Sequence, residues 1–241
     1  MFNKYIKLLN KKANRKLLIR DIKTIGMKKA LIIGATGATG NELTKQLLKD
    51  ENFSEVHIFV RKAPSIIHSK IKIHCVDFNN IENWKNQLTG DVLFSAMGTT
   101  LKVAGSKETQ FKIDVTFQFK IAEAASNNGV PTLLLVSSIG ANQKSLFFYP
   151  KIKGQLEEMV KKLSFKTIYI LRPPVLDRGS EIARASEKKS ISFINKLNKF
   201  GLLNSQKPMS TQLLASKMIK LSKIKAKHEA ITLEAKAIFN S

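Results

Sequence analysis

A tyrosine and a lysine in the second half of the chain have the spacing of an acid–base pair. Tyr149 and Lys153 are four residues apart, so on a helix they share one face. Free tyrosine is too weak an acid for proton transfer at neutral pH, but a neighbouring ammonium stabilises its phenolate. Pro150 is tolerated only in a first helical turn, which places Tyr149 at a helix start. Ser137 and Ser138 end the preceding apolar segment, and a hydroxyl there can hold the oxygen of a carbonyl or alcohol.

A glycine-rich turn near the start of the chain predicts a phosphate site. The segment GATGATG, residues 34–40, follows an apolar strand and opens a helix, whose first N–H groups attract an anion. Its spacing is Gly-x-x-Gly-x-x-Gly, and the missing Cβ atoms permit the turn, the approach of a phosphate and helix–strand packing. The alternative is a tight turn without a ligand. We expect phosphate contacts from these residues of the turn: Gly34, Thr36, Gly37, Ala38, Thr39 and Gly40.

The end of the second strand distinguishes the two nicotinamide dinucleotides. NAD-binding enzymes place an acid there for the ribose hydroxyls, whereas this chain has Arg61 and no acid. A guanidinium pairs with the 2′-phosphate of NADP, so the sequence favours NADP, with NAD as the alternative cofactor. A solvent-exposed basic strand end would carry the same residues. Further cofactor contacts are expected from Asp77, after the third strand, and from the turn after the fourth strand: Ala96, Met97 and Gly98.

Strands and helices alternate from Lys29 onward, and this order predicts an α/β fold. Apolar strands bounded by helices form a parallel sheet covered on both faces, so we expect a Rossmann-type, doubly wound parallel sheet in a single domain, residues 27–241. Residues 177–209 are less regular, and we expect a substrate-side elaboration there. The expected strands are Lys29–Gly34, Glu55–Arg61, Ile71–Val76, Asp91–Met97, Thr132–Ser138, Lys166–Arg172 and Ala230–Glu234. The expected helices are Asn41–Lys49, Ile81–Leu88, Ser106–Asn127, Gly154–Leu163, Ser190–Lys199 and Thr211–Lys223.

Residues 1–26 form a basic extension that differs from the rest of the chain. They hold eight basic residues and one acidic residue, Asp21, and their apolar residues recur at helical spacing. A basic amphipathic helix of this kind lies on a membrane surface, directs a protein to an organelle, or packs on the domain. A further interpretation is that translation begins at Met27. Peripheral membrane contact through this extension is therefore one of several alternatives, and none involves the chemistry of Tyr149.

The net charge of +23 raises the question of a nucleic-acid partner. The excess is nearly all lysine, with 35 lysines against six arginines, and the lysines are scattered along the chain. Arginine is the better sign of specific phosphate or base contacts. We therefore expect no nucleic-acid partner, and a small-molecule substrate instead. The sequence does not define the oligomeric state.

One cysteine and four histidines limit the redox and metal chemistry of the chain. A single cysteine cannot form a disulfide within the chain, so a reducing compartment and a cytoplasmic location are expected, with an organelle as the alternative. Cys75 lies in an alternating apolar strand and is expected to be a buried thiol. The histidines lack metal-ligand spacing, so no metal site is expected.

Several segments together resemble a known family. From about Met27 to the C-terminus the chain resembles an atypical short-chain dehydrogenase/reductase, of the small NAD(P)H-binding type that is similar to the Tat-interacting protein. The matching segments are GATGATG (34–40), MGTTLKVAGSKE (97–108), VSSIGANQKSLFFYPKIKGQLEE (136–158) and LRPPVL (171–176).

The resemblance implies roles for the candidate site residues. Tyr149 would be the general acid/base, Lys153 its modulator and a contact of the cofactor ribose, and Ser138 the anchor of the substrate oxygen, with Ser137 as the other candidate. Arg172 and Pro173 would border the nicotinamide. In better-known branches an asparagine on the fourth helix orders a proton-relay water. Here Asp114 lies in that region, so the relay is in question.

The sequence therefore favours an NAD(P)-dependent oxidoreductase, with NADP preferred, that transfers hydride to or from a carbonyl or alcohol carbon. The alternative is a dinucleotide-binding regulatory or scaffold protein without turnover. The substrate is not identified. Specificity is expected to lie mainly in residues 177–209, where apolar residues at helical spacing either line a pocket or pack in the core: Phe193, Ile194, Leu197 and Phe200.

Overall fold

The computed structural model of the protein describes residues 26–177, 208–224 and 227–240. The basic extension up to residue 25 lies outside these ranges. So do residues 178–207, which hold most of the expected substrate-side elaboration and the expected helix Ser190–Lys199.

A parallel sheet forms the centre of the described part. In chain order its strands are β1 Lys28–Ile33, β2 Phe53–Val60, β3 Ile71–Cys75, β4 Val92–Ser95, β5 Thr132–Val136, β6 Thr167–Arg172 and β9 Glu229–Glu234. Two short strands, β7 Leu176–Asp177 and β8 Met209–Ser210, form a separate pair. Across the described residues the main sheet has seven strands in the order β3-β2-β1-β4-β5-β6-β9, all parallel. The chain turns from one half of the sheet to the other between β1 and β4, where ligands bind in folds of this type. The predicted Rossmann-type fold is confirmed.

Helices cover both faces of the sheet. They are α1 Ala38–Lys49, α2 Leu101–Ala104, α3 Lys107–Phe111, α4 Gln118–Asn127, α5 Phe148–Val160, α6 Thr211–Ser222 and α7 Ala235–Asn240. Successive side chains of a strand point to opposite faces. Ile32 accordingly packs in the core beneath α1, α6 and α7, and its neighbour Ile33 packs in the core beneath α4 and α5. The two cores hold the carboxyl ends of the strands in place at one edge of the sheet.

The segment after β4 departs from the single helix that the sequence predicts over residues 106–127. It is divided into α2, α3, a π-helical stretch Lys112–Phe117 and α4. Thr100 and Ser106 each cap a new helical start, since their hydroxyls accept the N–H groups of Val103 and Thr109. The π-helical stretch carries Asp114, and such wide turns are frequent at functional sites.

Two further expectations differ from the structure. The predicted helix Ile81–Leu88 consists of two short 3₁₀ turns, Ile81–Asn83 and Lys85–Gln87. The expectation of a buried Cys75 is wrong, because the thiol is exposed. Cys75 is the last residue of the edge strand β3, beyond the apolar packing that covers Ile71 and Ile73.

Candidate cofactor and active site

The glycine turn is packed so tightly that a side chain cannot replace Gly34 or Gly40 without a shift of the backbone. Gly34 has a φ of +80°, and a Cβ built on it would lie 2.5 Å from the backbone oxygen of Ala96. At Gly40 an added Cβ would lie 2.1 Å from the oxygen of Gly34. Gly37 stands at the N-cap of α1, where no side chain caps the helix. The turn therefore brings the open N-terminus of α1 against the carboxyl ends of β1 and β4, and backbone N–H groups are available to an anion.

A cleft of about 400 Å³ begins at this turn and reaches the end of β2. Arg61 lines its far end, together with Phe78 and Phe117, whose ring centroids are 5.9 Å apart. The sequence did not identify these two aromatic residues, because their convergence depends on the sheet order. Asp77 is exposed and outside the lining residues; its carboxylate accepts the backbone N–H and the side-chain amide of Asn79, both at 2.9 Å.

A second cleft, of about 560 Å³, extends from the same turn towards α5. Both clefts are lined by Gly37 and by residues 96–99 of the loop after β4. The two clefts therefore adjoin at these residues along the carboxyl edge of the sheet, and together they are called the groove below. Ser137, Tyr149 and Lys153 line the second cleft. The groove thus extends from the Arg61 guanidinium, past the glycine turn, to the Tyr149 phenol and the Lys153 ammonium.

Tyr149 and Lys153 lie where the sequence predicted, in the first two turns of one helix. α5 begins at Phe148, six residues before the predicted start, and Pro150 occupies its first turn. The Tyr149 side chain is accessible from the cleft, with 40% of the residue exposed, whereas Lys153 is buried. The Lys153 Nζ lies 3.5 Å from the backbone oxygen of Val136, at the end of β5. The Lys153 side chain is therefore buried at the base of the cleft, and the Tyr149 side chain is exposed to solvent at its side.

The two candidate serines differ in position. Ser137 is buried and lines the cleft, and its hydroxyl donates to the carboxylate of Glu157 at 2.5 Å. Ser138 is not among the described lining residues, and its hydroxyl donates to the backbone oxygen of Ile139 at 3.3 Å. Of the two serines, Ser137 is the one placed beside Tyr149.

Asp114 is fully buried beneath the loop that both clefts share. Its carboxylate accepts the N–H of Thr99 at 3.0 Å and the side-chain amide of Gln110 at 3.3 Å. Burial raises the pKa of Asp114, while the charge of Lys153 and these hydrogen bonds oppose the rise. Asp114 thus fixes the loop after β4 and contributes negative charge near the Lys153 ammonium.

A buried ion pair supports the floor of the site from behind. Glu157 lies one turn after Lys153 on α5 and is fully buried. Its carboxylate accepts the Nε of Arg172 at 3.0 Å and the Nη2 at 2.5 Å, and the Arg172 Nη1 donates to Glu234 at 2.7 Å. The hydrogen bonds to Glu157 raise the pKa of the guanidinium further above neutral pH.

The positions of Arg172 and Pro173 follow from this pairing. The Arg172 guanidinium is directed to Glu157 and Glu234, and Pro173 accepts the backbone N–H of Ile139 at 3.1 Å. Neither residue is among the described lining residues of the two clefts. The sequence did not identify Glu157; its only signal was a carboxylate four residues after Lys153, on the same helix face.

We expect the Glu157→Gln substitution to lower the free energy of unfolding by about 3 kcal/mol, because it leaves the half-buried Arg172 guanidinium without its buried partner. Glu158→Gln is the matched control. Glu158 is the next residue on α5 and forms a more exposed pair with Lys161, so its loss is expected to be below about 0.5 kcal/mol. Urea denaturation measures the free energy of unfolding of both variants. Equal losses in the two variants would show that the buried pair contributes no more than the exposed one.

Comparisons with known proteins agree with this geometry. Residues 34–195 match the model of a family described as NAD(P)H-binding. The chain is 38% identical over 152 residues to "Protein FMP52-1, mitochondrial" of Scheffersomyces stipitis, a match that covers 61% of this chain and 66% of that protein. The chain thus spans about two thirds of that relative's length.

Solved structures share the fold at low sequence identity. "MoeE5 in complex with UDP-glucose and NAD" has a TM-score of 0.64 at 14% identity and covers 85% of this chain and 75% of that chain. A short chain dehydrogenase family protein from Francisella tularensis subsp. tularensis SCHU S4 has a TM-score of 0.62 at 16% identity, with 88% and 98% covered. With the family match over most of its sheet, a Rossmann-type fold and a glycine turn at β1, the chain belongs to the NAD(P)H-binding family.

Proposed function

We propose that this protein is an NAD(P)-dependent oxidoreductase that interconverts a carbonyl and an alcohol, with Tyr149 as the general acid/base. The observation that carries the proposal is the groove that joins the glycine turn to Tyr149 and Lys153. A dinucleotide bound along this groove would have its pyrophosphate at the turn and its nicotinamide end beside Tyr149.

The residues of the groove fit such a cofactor. A Cβ at Gly34 or Gly40 would close the turn against backbone atoms, so the chain keeps an uncovered backbone where a pyrophosphate would lie. Arg61 and the aromatic pair Phe78–Phe117 would contact the adenosine end. When bound, the cofactor supplies or accepts the hydride.

The protein's own residues would handle the proton. In the reductive direction the Tyr149 hydroxyl donates its proton to the developing alkoxide, and the nearby Lys153 ammonium stabilises the phenolate that remains. Ser137 donates its own proton to Glu157, so its lone pairs are left for the substrate. It would therefore accept a hydrogen bond from an alcohol hydroxyl better than it would donate one to a carbonyl.

NADP is the favoured cofactor, because Arg61 lines the adenosine end of the groove and no acidic side chain does so among the described lining residues. We expect Arg61→Ser to weaken NADPH binding about 10- to 100-fold and to change NADH binding little, since only NADPH carries the 2′-phosphate. Titration calorimetry with both nucleotides measures this.

Lys62→Ser is the control for that experiment, because Lys62 is equally exposed but is not among the described lining residues. It is expected to leave the preference for NADPH intact. A wild-type protein that binds NADH more tightly, or equal losses of NADPH affinity in the two variants, would contradict the NADP assignment.

The names of the relatives bear on location. "Protein FMP52-1, mitochondrial" supports the organelle alternative for this chain, and nothing in the comparisons supports the cytoplasmic expectation. We therefore propose a mitochondrial location, which fractionation of cells that express the full chain would test. In the described part of the chain, no helix has both the length and the hydropathy needed to cross a bilayer.

A further inference from the structure

The cleft beside Tyr149 carries positive charge without an acidic side chain in its described lining. Its charged lining residues are Lys107 and Lys153. Lys153 has the buried carboxylate of Asp114 nearby, which compensates its charge in part. Lys107 takes part in none of the ion pairs between described residues. Lys107 therefore has no direct ion-pair partner among the described residues, and its ammonium can pair with an anionic ligand.

Lys107 is an exposed residue whose ammonium lies over the aromatic ring next to Tyr149. It is the first residue of α3, and its Nζ lies 5.5 Å from the centroid of the Phe148 ring, next in sequence to Tyr149. The neighbouring acid, Glu108, is engaged at the start of the same helix, where hydrogen bonds from its own backbone N–H and from Ser106 lower its pKa and the charge of Lys107 adds a smaller lowering. Lys107 and Phe148 thus line the cleft together, with the ammonium over the aromatic ring.

The mouth of the same cleft is apolar. Leu101 lines it and is 45% exposed. Phe148 and Leu176 are further apolar lining residues, and each is only partly buried. Large apolar side chains exposed at the edge of a ligand groove indicate contact with an apolar ligand.

We propose that the substrate is an anionic carbonyl compound with an apolar body, and that Lys107 binds its anionic group. This inference rests on the proposed function. The reacting carbonyl lies at Tyr149, the apolar body contacts Phe148 and Leu101, and a carboxylate or phosphate pairs with the Lys107 ammonium. Lys107 is then a specificity-determining residue that takes no part in proton transfer.

Matched pairs of aldehydes test the inference with the full chain and NADPH. The pairs are 4-carboxybenzaldehyde with benzaldehyde, and 9-oxononanoate with nonanal. Inhibition by phenyl phosphate is compared with inhibition by benzoate, which shows whether the site prefers a phosphate or a carboxylate. For at least one pair we expect kcat/KM to be about tenfold higher for the anionic member, as one charge-assisted contact provides. In Lys107→Met this ratio is expected to fall to about one, and Lys107→Arg is expected to restore it. Lys102→Met, an exposed lysine outside the described lining, should keep the full ratio.

The outcomes separate this inference from the proposed function. Equal kcat/KM for both members of each pair in the wild type would overturn the inference and leave the oxidoreductase intact. If Lys107→Met weakened NADPH binding in calorimetry and left the ratio unchanged, Lys107 would be a cofactor contact and the inference would be wrong. If the wild type binds NADPH but reduces no aldehyde, the proposed function fails. The preference of the NADPH complex for 4-carboxybenzyl alcohol over benzyl alcohol, measured by thermal shift, would then still decide the role of Lys107.

Discussion

Tyr149→Phe is expected to lower kcat about 10²- to 10⁴-fold, the contribution of a positioned general acid. The substitution removes only the hydroxyl that would deliver the proton, and the ring keeps its place at the start of α5. Because Tyr149 is substantially exposed, the stability of the fold should change little. NADPH affinity is expected to be unchanged, since the substitution leaves the backbone of the glycine turn and the Arg61 guanidinium in place. Stopped-flow oxidation of NADPH and calorimetry measure the two quantities on the same sample.

Tyr169→Phe is the matched control for this experiment. It removes a phenol hydroxyl from β6, in the core beneath α1 and α6, so turnover should stay close to that of the wild type. Undiminished turnover in Tyr149→Phe would overturn the assignment of the general acid. If the wild type binds NADPH tightly but does not oxidise it with any carbonyl compound tested, the regulatory alternative is favoured. In that alternative Tyr149 and Lys153 only shape the cofactor site.

Local patterns in the sequence predicted the parts of the site that lie within one element. The glycine turn, the Tyr149–Lys153 pair and the strand ends are each readable from neighbouring residues, and Pro150 fixed the start of α5 better than apolar periodicity did. The periodicity fails there because the first turn of α5 carries exposed aromatic residues. Contacts between residues that are distant in the chain depend on the sheet order, which local patterns do not show. This order brings Phe78 and Phe117 together although they are distant in the chain.

The burial and pairing of the polar residues beneath the site were beyond the reach of sequence patterns. The resemblance drew attention to Asp114, but its burial depends on the π-helical stretch that turns it towards Thr99. The resemblance placed Arg172 at the nicotinamide, and nothing local shows that Glu157 and Glu234 converge on its guanidinium. Buried charges are stable only with partners, and those partners are set by tertiary contacts.

Gly40→Ala is expected to impair both folding and cofactor binding. The added Cβ would lie 2.1 Å from the Gly34 oxygen and 2.6 Å from the Gly34 carbonyl carbon, so the turn or α1 must shift. Overpacking against backbone costs about 2–3 kcal/mol of stability. The displaced turn would also lose the alignment of its N–H groups with a pyrophosphate, and we expect NADPH affinity to fall more than about tenfold.

Gly37→Ala distinguishes a local steric clash from a general need for glycine in this turn. An added Cβ at Gly37 meets only the Gly34 oxygen, at 3.3 Å, and the backbone there is extended with a φ of −80°. Its loss of stability should therefore be well below that of Gly40→Ala in urea denaturation. Equal losses would show that flexibility of the turn, rather than the contact between α1 and the end of β1, is what its glycines provide. If Gly40→Ala retained both stability and NADPH affinity, the turn would be able to shift without loss of function, and the rigid phosphate cradle proposed here would be wrong.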